Sequence, residues 1–422
     1  MAFFLVATFF ETGFSSLIDK PLSKKAIPVA RAPRTIAIMV LLDFFDINKI
    51  TCFLYITIIY FDVSMHLAKL TLQDFRNFKK KEIKFGEGVN IILGTNASGK
   101  TNILESLYLL STGKSFKARL VGEMVKSGTE VGRVSGTVEK NNLELEVVLT
   151  DGEVVVGESL IQKTQRKRLL VNGTPKRLID FAGNFKTVLF GPWDMDLLTG
   201  SPSHRREYLD HAISQIDREY RRAMLVYEKG LRQRNRLLWK IREGEASRNQ
   251  LLFWDELLIK NGDYLNRRRE EFIEFINAGN FQFPISNFQI VYDKSGISES
   301  RLLQYAREEV ASATTLVGPH RDNFTVKCTV HSTKDIEKDL SVYGSRGEQR
   351  MGILWLKLSE IAFVEKMSGE KPVLLLDDIF SELDHEHRKI VSENLKGFQS
   401  IITTADEHYL DELPKGGVLK LN

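Results

Sequence analysis

One stretch, Ile91-Ile92-Leu93-Gly94-Thr95-Asn96-Ala97-Ser98-Gly99-Lys100-Thr101, constrains this chain more than any other. It has the spacing G-x-x-x-x-G-K-[ST]; an apolar run (Val89 to Leu93) precedes it and an amphipathic pattern (Thr101 to Leu110) follows. Strand, glycine loop and helix in that order turn successive backbone N–H groups onto phosphate oxygens, and the helix N-terminus adds partial positive charge. Gly94 and Gly99 are read as the residues that let the loop curl. Thr95, Asn96, Ala97, Ser98 and Asn102 complete the predicted phosphate cradle. Lys100 is placed to reach the β- and γ-phosphates, and the Thr101 hydroxyl to ligate Mg²⁺. The context predicts a nucleoside triphosphate site, with ATP and Mg²⁺ as its occupants.

The 422 residues suffice for two or three domains with a large core. The net charge of +4 decides nothing by itself, since what matters is where charge clusters. Cys52 and Cys328 are the only cysteines and have no metal-ligand spacing, which fits a reducing compartment and excludes a disulfide framework or a structural zinc cluster built on them. Residues 1–64 differ in character: Ala2 to Phe10 is apolar, and Thr35 to Phe61 is rich in Ile, Leu and Phe. A membrane anchor is disfavoured because Asp43, Asp46 and Lys49 interrupt the second run and Ile50 to Phe61 is too short to span a bilayer. A signal peptide is disfavoured because no basic segment precedes the first run. The expectation is that Met65 is the true start and that 1–64 stand outside the fold.

His66 to Leu72 alternates and reads as a half-buried strand; Asp74-Phe75-Arg76-Asn77-Phe78 turns out of it into a strand from Lys79 to Phe85. Arg76 is either at the nucleotide edge or a solvated turn arginine. Val131 to Leu149 and Glu153 to Lys163 read as antiparallel strands, and Asn172-Gly173 marks a tight hairpin. The hairpin's Lys163, Arg166, Lys167, Arg168, Lys176 and Arg177 suit either a phosphate-backbone contact or a solvated edge. After a buried strand at Thr187 to Phe190, Ser203 is the predicted N-cap of long helices that run to about Phe283. Basic residues dominate from Arg218 to Arg242, and Arg218, Arg222 and Lys229 share one helical face. That face is a candidate nucleic-acid track, with a merely solvated face as the alternative. No sustained heptad is visible.

Val373-Leu374-Leu375-Leu376-Asp377-Asp378 is an apolar run closed by two carboxylates. Asp377 is placed to hold Mg²⁺ through water, and Asp378 to orient or deprotonate the attacking water. Upstream, Tyr343-Gly344-Ser345-Arg346-Gly347-Glu348-Gln349-Arg350 opens an apolar helix, a second anion-binding N-terminus in one chain. One triphosphate needs one such cradle, so the second is read as capping the nucleotide of another copy.

In this order, the phosphate loop, Ser345-Arg346-Gly347-Glu348-Gln349, Leu374-Leu375-Leu376-Asp377-Asp378 and Ser381-Glu382-Leu383-Asp384 resemble the ABC-type ATPase heads of chromosome maintenance and DNA repair. Asp74-Phe75-Arg76-Asn77-Phe78, Gly318-Pro319-His320-Arg321-Asp322 and the block Asp377 to Asp384 are similar to the RecF family of bacterial recombination mediators. The resemblance runs from Met65 to the C-terminus. It implies an α/β P-loop ATPase head whose two parts, 65–200 and 318–422, flank an inserted, mostly helical lobe at 201–317. It further implies that Lys100 and Thr101 bind phosphates and Mg²⁺, that Asp377 is the second magnesium partner and that Asp378 fills the catalytic carboxylate position. Ser345, Gly347 and Glu348 would face the γ-phosphate across a homodimer closed by ATP, with Asp384 in the dimer contact. The family binds double-stranded DNA and its junctions with single strands, hydrolyses ATP slowly, and works with RecR and RecO to load the RecA recombinase at gaps. A cytoplasmic protein without membrane contact is implied.

Three departures stand out. Gly344 and Arg346 replace the Leu and Gly of transporter signatures; Gly191-Pro192-Trp193-Asp194-Met195 replaces the family's Ser-Pro-Glu-Asp-Leu, leaving Asp194 as the surviving acid; and Thr403-Thr404 stand where transporter heads carry a switch histidine. The last suggests a weakened γ-phosphate contact with Thr404 as the residue to test. A transporter subunit would place its signature much nearer the phosphate loop, and a structural-maintenance protein would need long heptad arrays. A membrane-anchored signalling ATPase requires residues 1–64.

Overall fold

The computed structural model describes residues 37–41, 55–59 and 65–421, apart from 140–141, 157–159, 280–285, 331–335, 412 and 414–415. The apolar run Ala2 to Phe10, and most of Thr35 to Phe61, lie outside the described residues. Within the latter, β1 (Ala37–Leu41) pairs antiparallel with β2 (Tyr55–Ile59) as a unit by itself. Among the described residues no helix is long and apolar enough to cross a membrane.

From residue 65 the chain builds two sheets with a helix between them. β3 (Leu67–Phe75) turns sharply into β4 (Phe78–Lys84), with Asp74 and Arg76 at φ 47° and 52°. β5 (Val89–Gly94) leads into the glycine loop and helix α1 (Lys100–Thr112). β6 (Val131–Val138), β7 (Leu143–Thr150), the short pair β8 (Glu153–Val156) and β9 (Leu160–Lys163), β10 (Lys167–Val171) and β11 (Thr174–Lys176) follow. Asn172 and Gly173, at φ 49° and 71°, make the two-residue β10–β11 turn whose twist matches paired strands. β11-β10-β7-β6-β3-β4 is one antiparallel sheet.

The second sheet is parallel. β12 (Thr187–Phe190), β16 (Val373–Asp377), β17 (Ser400–Thr404) and β18 (Gly417–Leu421) join β5 in the order β12-β16-β17-β5-β18. β12, β16 and β17 are buried at every position, the sign of a sheet covered on both faces. Successive side chains take opposite faces. Ile92, Leu375 and Ile401 therefore join the core that holds Ile103, Leu104 and Leu107 of α1, together with Leu70, Val134 and Val147 from the antiparallel sheet. Ile91, Leu374, Leu376 and Ile402 face the other way, onto Leu354, Leu358 and Ile361.

Those last three belong to a long helix reached only after the inserted helices. α2 (Pro202–Ile216), α3 (Arg218–Arg242) and α4 (Leu252–Ala278) give way to β13 (Ser286–Asp293), which pairs with β14 (Asn323–Val330) and through it with β15 (Ile336–Asp339). α5 (Arg346–Ser368) and α6 (His385–Asn394) complete the larger elements. A third core gathers Tyr208, Ile213, Tyr220, Leu265, Phe272, Phe324 and Trp355. The predicted cap at Ser203 is corrected: the helix starts two residues earlier, after Ser201, because Pro202 fits the first helical position, where its missing N–H is not needed.

The Gly318-to-Asp322 box ties this helical core together. The Asp322 carboxylate is fully buried and accepts hydrogen bonds from Arg269 Nη1 (2.7 Å), Asn266 Nδ2 (3.0 Å), Tyr292 Oη (2.5 Å) and the Ser295 N–H (2.7 Å). His320 accepts from Tyr227 Oη at Nδ1 (2.8 Å) and donates from Nε2 to the Thr315 carbonyl (3.0 Å), a neutral imidazole with both nitrogens engaged. Burial pushes its pKa down to about 4, so the ring stays neutral near pH 7.

Candidate nucleotide site

The glycine loop leaves β5 at Gly94, and the reason for that glycine is contact rather than dihedral freedom. A Cβ there would stand 2.6 Å from Ser98 Oγ and 3.1 Å from the Leu421 carbonyl oxygen of neighbouring β18. Gly99 does need its freedom: φ is 102°, and a Cβ would meet Asn77 Nδ2 at 2.6 Å and Phe78 Cζ at 2.8 Å. The loop's other left-handed residue is Ala97 (φ 67°), not Gly94 as the sequence suggested. Thr95, Asn96 and Ala97 are exposed. Ser98 Oγ is buried with no hydrogen-bond partner, a polar atom that a phosphate oxygen would satisfy.

Lys100 and Thr101 open α1 at the base of this loop. The Lys100 ammonium donates to the Gly94 and Thr95 carbonyls (2.6 and 2.9 Å) and so lies inside the curl. Thr101 Oγ1 lies 2.9 and 3.0 Å from the two Asp377 oxygens, joining residues that are distant in sequence. Asp377 is buried at the C-terminal end of β16. Its Oδ1 also accepts from Thr403 Oγ1 (2.7 Å), one strand over on β17. Asp378 follows in the left-handed region (φ 50°), and its N–H donates to Thr403 Oγ1 (3.0 Å). Burial raises the Asp378 carboxyl above the ordinary range; Lys100 and Ser381 oppose the rise, while Asp377 and Glu382 add to it. A half-buried carboxyl tuned upward suits proton acceptance from water. Thr404 turns away, its hydroxyl used by the Asp406 backbone (3.2 and 3.3 Å).

Arg76 is not the solvated turn arginine that the sequence left open. Its Nε and Nη2 donate to the buried Glu105 carboxylate (2.8 and 2.6 Å), and Nη1 to the Glu123 carbonyl (2.6 Å). Glu105 lies on α1, so the β3–β4 turn is bolted to the helix behind the phosphate loop. Next to it, Asn77 donates to the Ser98 carbonyl (3.2 Å) and accepts from Asn102 Nδ2 (2.9 Å). Asn77, Glu105 and Thr403 are the supporting residues that the motif alone did not expose. Glu105 lies one turn into α1, while Asn77 and Thr403 come from other segments, Asn77 within the Asp-Phe-Arg-Asn-Phe pattern and Thr403 in the Thr-Thr pair after β17's apolar run.

The second anion-binding N-terminus stands apart. Ser345 caps α5 in a reciprocal box with Glu348: Ser345 N donates to Glu348 Oε2 (2.8 Å), and Glu348 N to Ser345 Oγ (3.3 Å). Lys338 Nζ donates to both Glu348 oxygens (2.7 and 2.9 Å), which with the Ser345 bonds outweighs burial and holds that carboxyl low. Ser345 and Gly347 are exposed, and a Cβ on Gly347 would meet nothing within 4 Å. Among the described residues no hydrogen bond or ion pair joins Ser345, Gly347 or Glu348 to the phosphate loop. Arg350 on the same helix pairs with Glu382 (2.9 Å), and Asp384 caps α6 through the His387 N–H (3.0 Å).

Several basic candidates have partners within the chain. Arg234 is buried at 2% exposure, held by Asp255 and Glu309 (2.7 Å each). Arg218 pairs with Asp180, Arg222 with Glu219, and Lys167 caps α1 at the Gly113 carbonyl (2.6 Å). Arg218 and Arg222 stay exposed despite their ion pairs, so the candidate track on α3 loses the buried Arg234 and keeps Arg218, Arg222, Lys229, Arg232 and Arg236 at the surface. Asp194 is likewise inward, bonded to the Gly191 N–H (2.8 Å) and paired with Lys357 (3.1 Å).

Residues 66–416 match the family described as the RecF/RecN/SMC N-terminal domain. The DNA replication and repair protein RecF of Thermoanaerobacter pseudethanolicus is 36% identical over 364 residues, spanning 82% of this chain and 96% of that protein. RecF of Cyanothece sp. is 34% identical across 81% of this chain and 91% of its own. The solved structure of the recombination mediator protein RecF-ATP of the RecFOR pathway superposes with a TM-score of 0.72 at 33% identity, covering 86% of this chain and 97% of that one. These matches join the sheet order and the phosphate loop in one conclusion: the chain has the α/β fold of an ABC-type ATPase head and belongs to the RecF family of DNA replication and repair proteins.

Proposed function

We propose that this protein binds ATP with Mg²⁺ and uses the nucleotide to close two copies face to face on double-stranded DNA beside single-strand gaps. The observation that carries this is the meeting of Thr101 with Asp377 beneath a loop that encloses the Lys100 ammonium. The residues fit the ligand, since the loop offers a cationic centre, a buried unpartnered Ser98 hydroxyl and a Gly99 cradle that any side chain would fill. Lys100 and the N–H groups of Gly94 to Asn102 would hold the phosphates; Thr101 and Asp377 would hold the metal, Asp377 through water. Mg²⁺ draws charge from the β- and γ-phosphate oxygens when bound. Asp378 orients the attacking water and accepts its proton, a role its raised carboxyl suits. Arg76 acts at the nucleotide edge through Glu105 and α1.

Ser345 and Gly347, exposed at a helix N-terminus, and the half-buried Glu348 that caps it serve the other copy's γ-phosphate; Asp384 lies in the same contact. Residues 65–200 and 318–422 make the ATPase lobe, and 201–317 the inserted helical lobe, which the β13–β14–β15 sheet stitches to it. Slow hydrolysis reopens the clamp, so turnover times residence on DNA. The RecF of the solved structure is described within the RecFOR pathway, and RecR with RecO are the partners we assign in loading RecA in the cytoplasm.

Sedimentation of the protein with ADP and with ATP–Mg²⁺, alone and with duplex DNA, tests the reading. A dimer specific to ATP that binds duplex DNA, and is lost in Ser345→Arg, is the expected result. A monomer in every condition would overturn it.

A further inference from the structure

Away from the nucleotide site, three metal-ligating side chains converge on one edge of the antiparallel sheet. His66 enters β3, Glu139 follows β6, and Glu87 lies in the link between β4 and β5; one ligand atom from each lies within 4.8 Å of the others. His66 Nε2 already touches the Glu139 carboxylate. Among the described residues, no lysine or arginine forms an ion pair with Glu87 or Glu139. Two exposed carboxylates thus gather around a half-buried imidazole, which pairs with Glu139 and is the only basic group of the cluster among the described residues.

The three positions are fixed by bonds outside the cluster. The Glu139 N–H donates to the His66 carbonyl (3.1 Å), which locks those two residues side by side. The buried Gln399 side chain accepts from the Leu67 N–H (2.7 Å) and donates to the Leu67 and Gly86 carbonyls (2.9 and 2.8 Å). Asn90 bonds the Gly86 N–H (2.7 Å) and the Gly88 carbonyl (2.9 Å), and Ser400 N donates to Gly88 as well (3.1 Å). Both neighbours of Glu87 are therefore pinned. A donor set carried on pinned backbone loses little entropy when it closes on an ion.

We propose that His66, Glu87 and Glu139 bind a divalent transition-metal ion of the zinc class. One imidazole nitrogen and two carboxylate oxygens match Zn²⁺, with water as the fourth tetrahedral ligand, whereas Mg²⁺ favours oxygen donors alone. The ion cross-links the start of β3, the end of β6 and the lead-in to β5, the strand that ends in the phosphate loop. Its role is structural: it fixes the edge from which that loop is hung.

The test is calorimetric titration of the chelator-treated full chain with ZnCl₂ and, in parallel, MgCl₂, without nucleotide. One saturable equivalent of Zn²⁺ is expected, with a higher Tm on loading and no such heat from Mg²⁺ at equal concentration. Glu139→Gln, an exposed and nearly isosteric change, and His66→Ala should each weaken binding by at least about tenfold, and Asp377→Asn should leave it intact. Bound Co²⁺ should give a tetrahedral visible spectrum that His66→Ala alters. Absence of saturable binding, or binding undiminished in Glu139→Gln, would overturn the assignment. Binding lost only in Asp377→Asn would place the ion in the nucleotide site and overturn it equally.

Discussion

Thr403→Val removes one hydroxyl from a fully buried strand position and replaces it with a methyl of nearly the same volume. The hydroxyl has a single proton, and the 2.7 Å contact to Asp377 Oδ1 takes it in preference to the Leu376 carbonyl at 3.3 Å. The Asp378 N–H loses an acceptor at 3.0 Å but keeps the Thr403 carbonyl at 3.2 Å, so no backbone donor is orphaned. What is lost is one hydrogen bond to a carboxylate, about 1.5–3 kcal/mol, or roughly 10- to 150-fold in an equilibrium constant. That loss falls on the orientation of Asp377. The Mg²⁺ concentration that half-saturates ATP binding should rise by up to this factor, and the urea midpoint should fall. A fluorescent-nucleotide titration against Mg²⁺ reads the first, and the Thr404→Val variant is the control. The Thr404 hydroxyl reaches only the Asp406 backbone, so its loss should leave Mg²⁺ dependence near wild type. If Thr403→Val matched wild type in both assays, or if Thr404→Val reproduced its defect, the carboxylate-orienting role would be refuted.

Gly99→Ala should abolish nucleotide binding while the antiparallel sheet still folds, because the new methyl enters the space of Asn77 and Phe78 at a left-handed φ; equilibrium dialysis with ATP checks it. Arg234→Ala should destabilise the helical core by about 3–5 kcal/mol, since it leaves Glu309 buried and unpaired, and denaturant unfolding reads the loss. Lys229→Glu, Arg232→Glu and Arg236→Glu should instead spare stability and weaken duplex DNA binding evenly across sequences, with a shallower dependence on salt. His320 contributes through its neutral form. Its unfolded pKa of 6.5 drops to about 4 on folding, so its stabilisation is complete above pH 6.5 and is lost as pH falls toward 4. The stability–pH slope over that window should flatten in His320→Gln.

The motifs from which the candidate site is built were legible along the chain. The phosphate loop, the acidic end of β16 and the Ser-x-Gly-Glu-Gln helix start are local patterns: each needs only a few adjacent residues and a strand or helix around them. Alternation and complete apolar runs likewise determined which strands line one face and which are buried on both. Packing was needed to assign the long side chains, whose partners lie far off in the chain. Arg76 reads equally as a nucleotide-edge or a solvated turn residue, and in space Glu105 on α1 takes its guanidinium. Arg234 looks like one more residue of a basic face until α3 packs and Asp255 and Glu309 close around it. Thr403 is an ordinary strand threonine in sequence and the orienting partner of Asp377 in space, because strand order in a parallel sheet is set by crossovers rather than by neighbours along the chain. Local patterns report backbone conformation and residue chemistry. Which charge meets which partner depends on how separate elements pack, and the tertiary structure alone decides that.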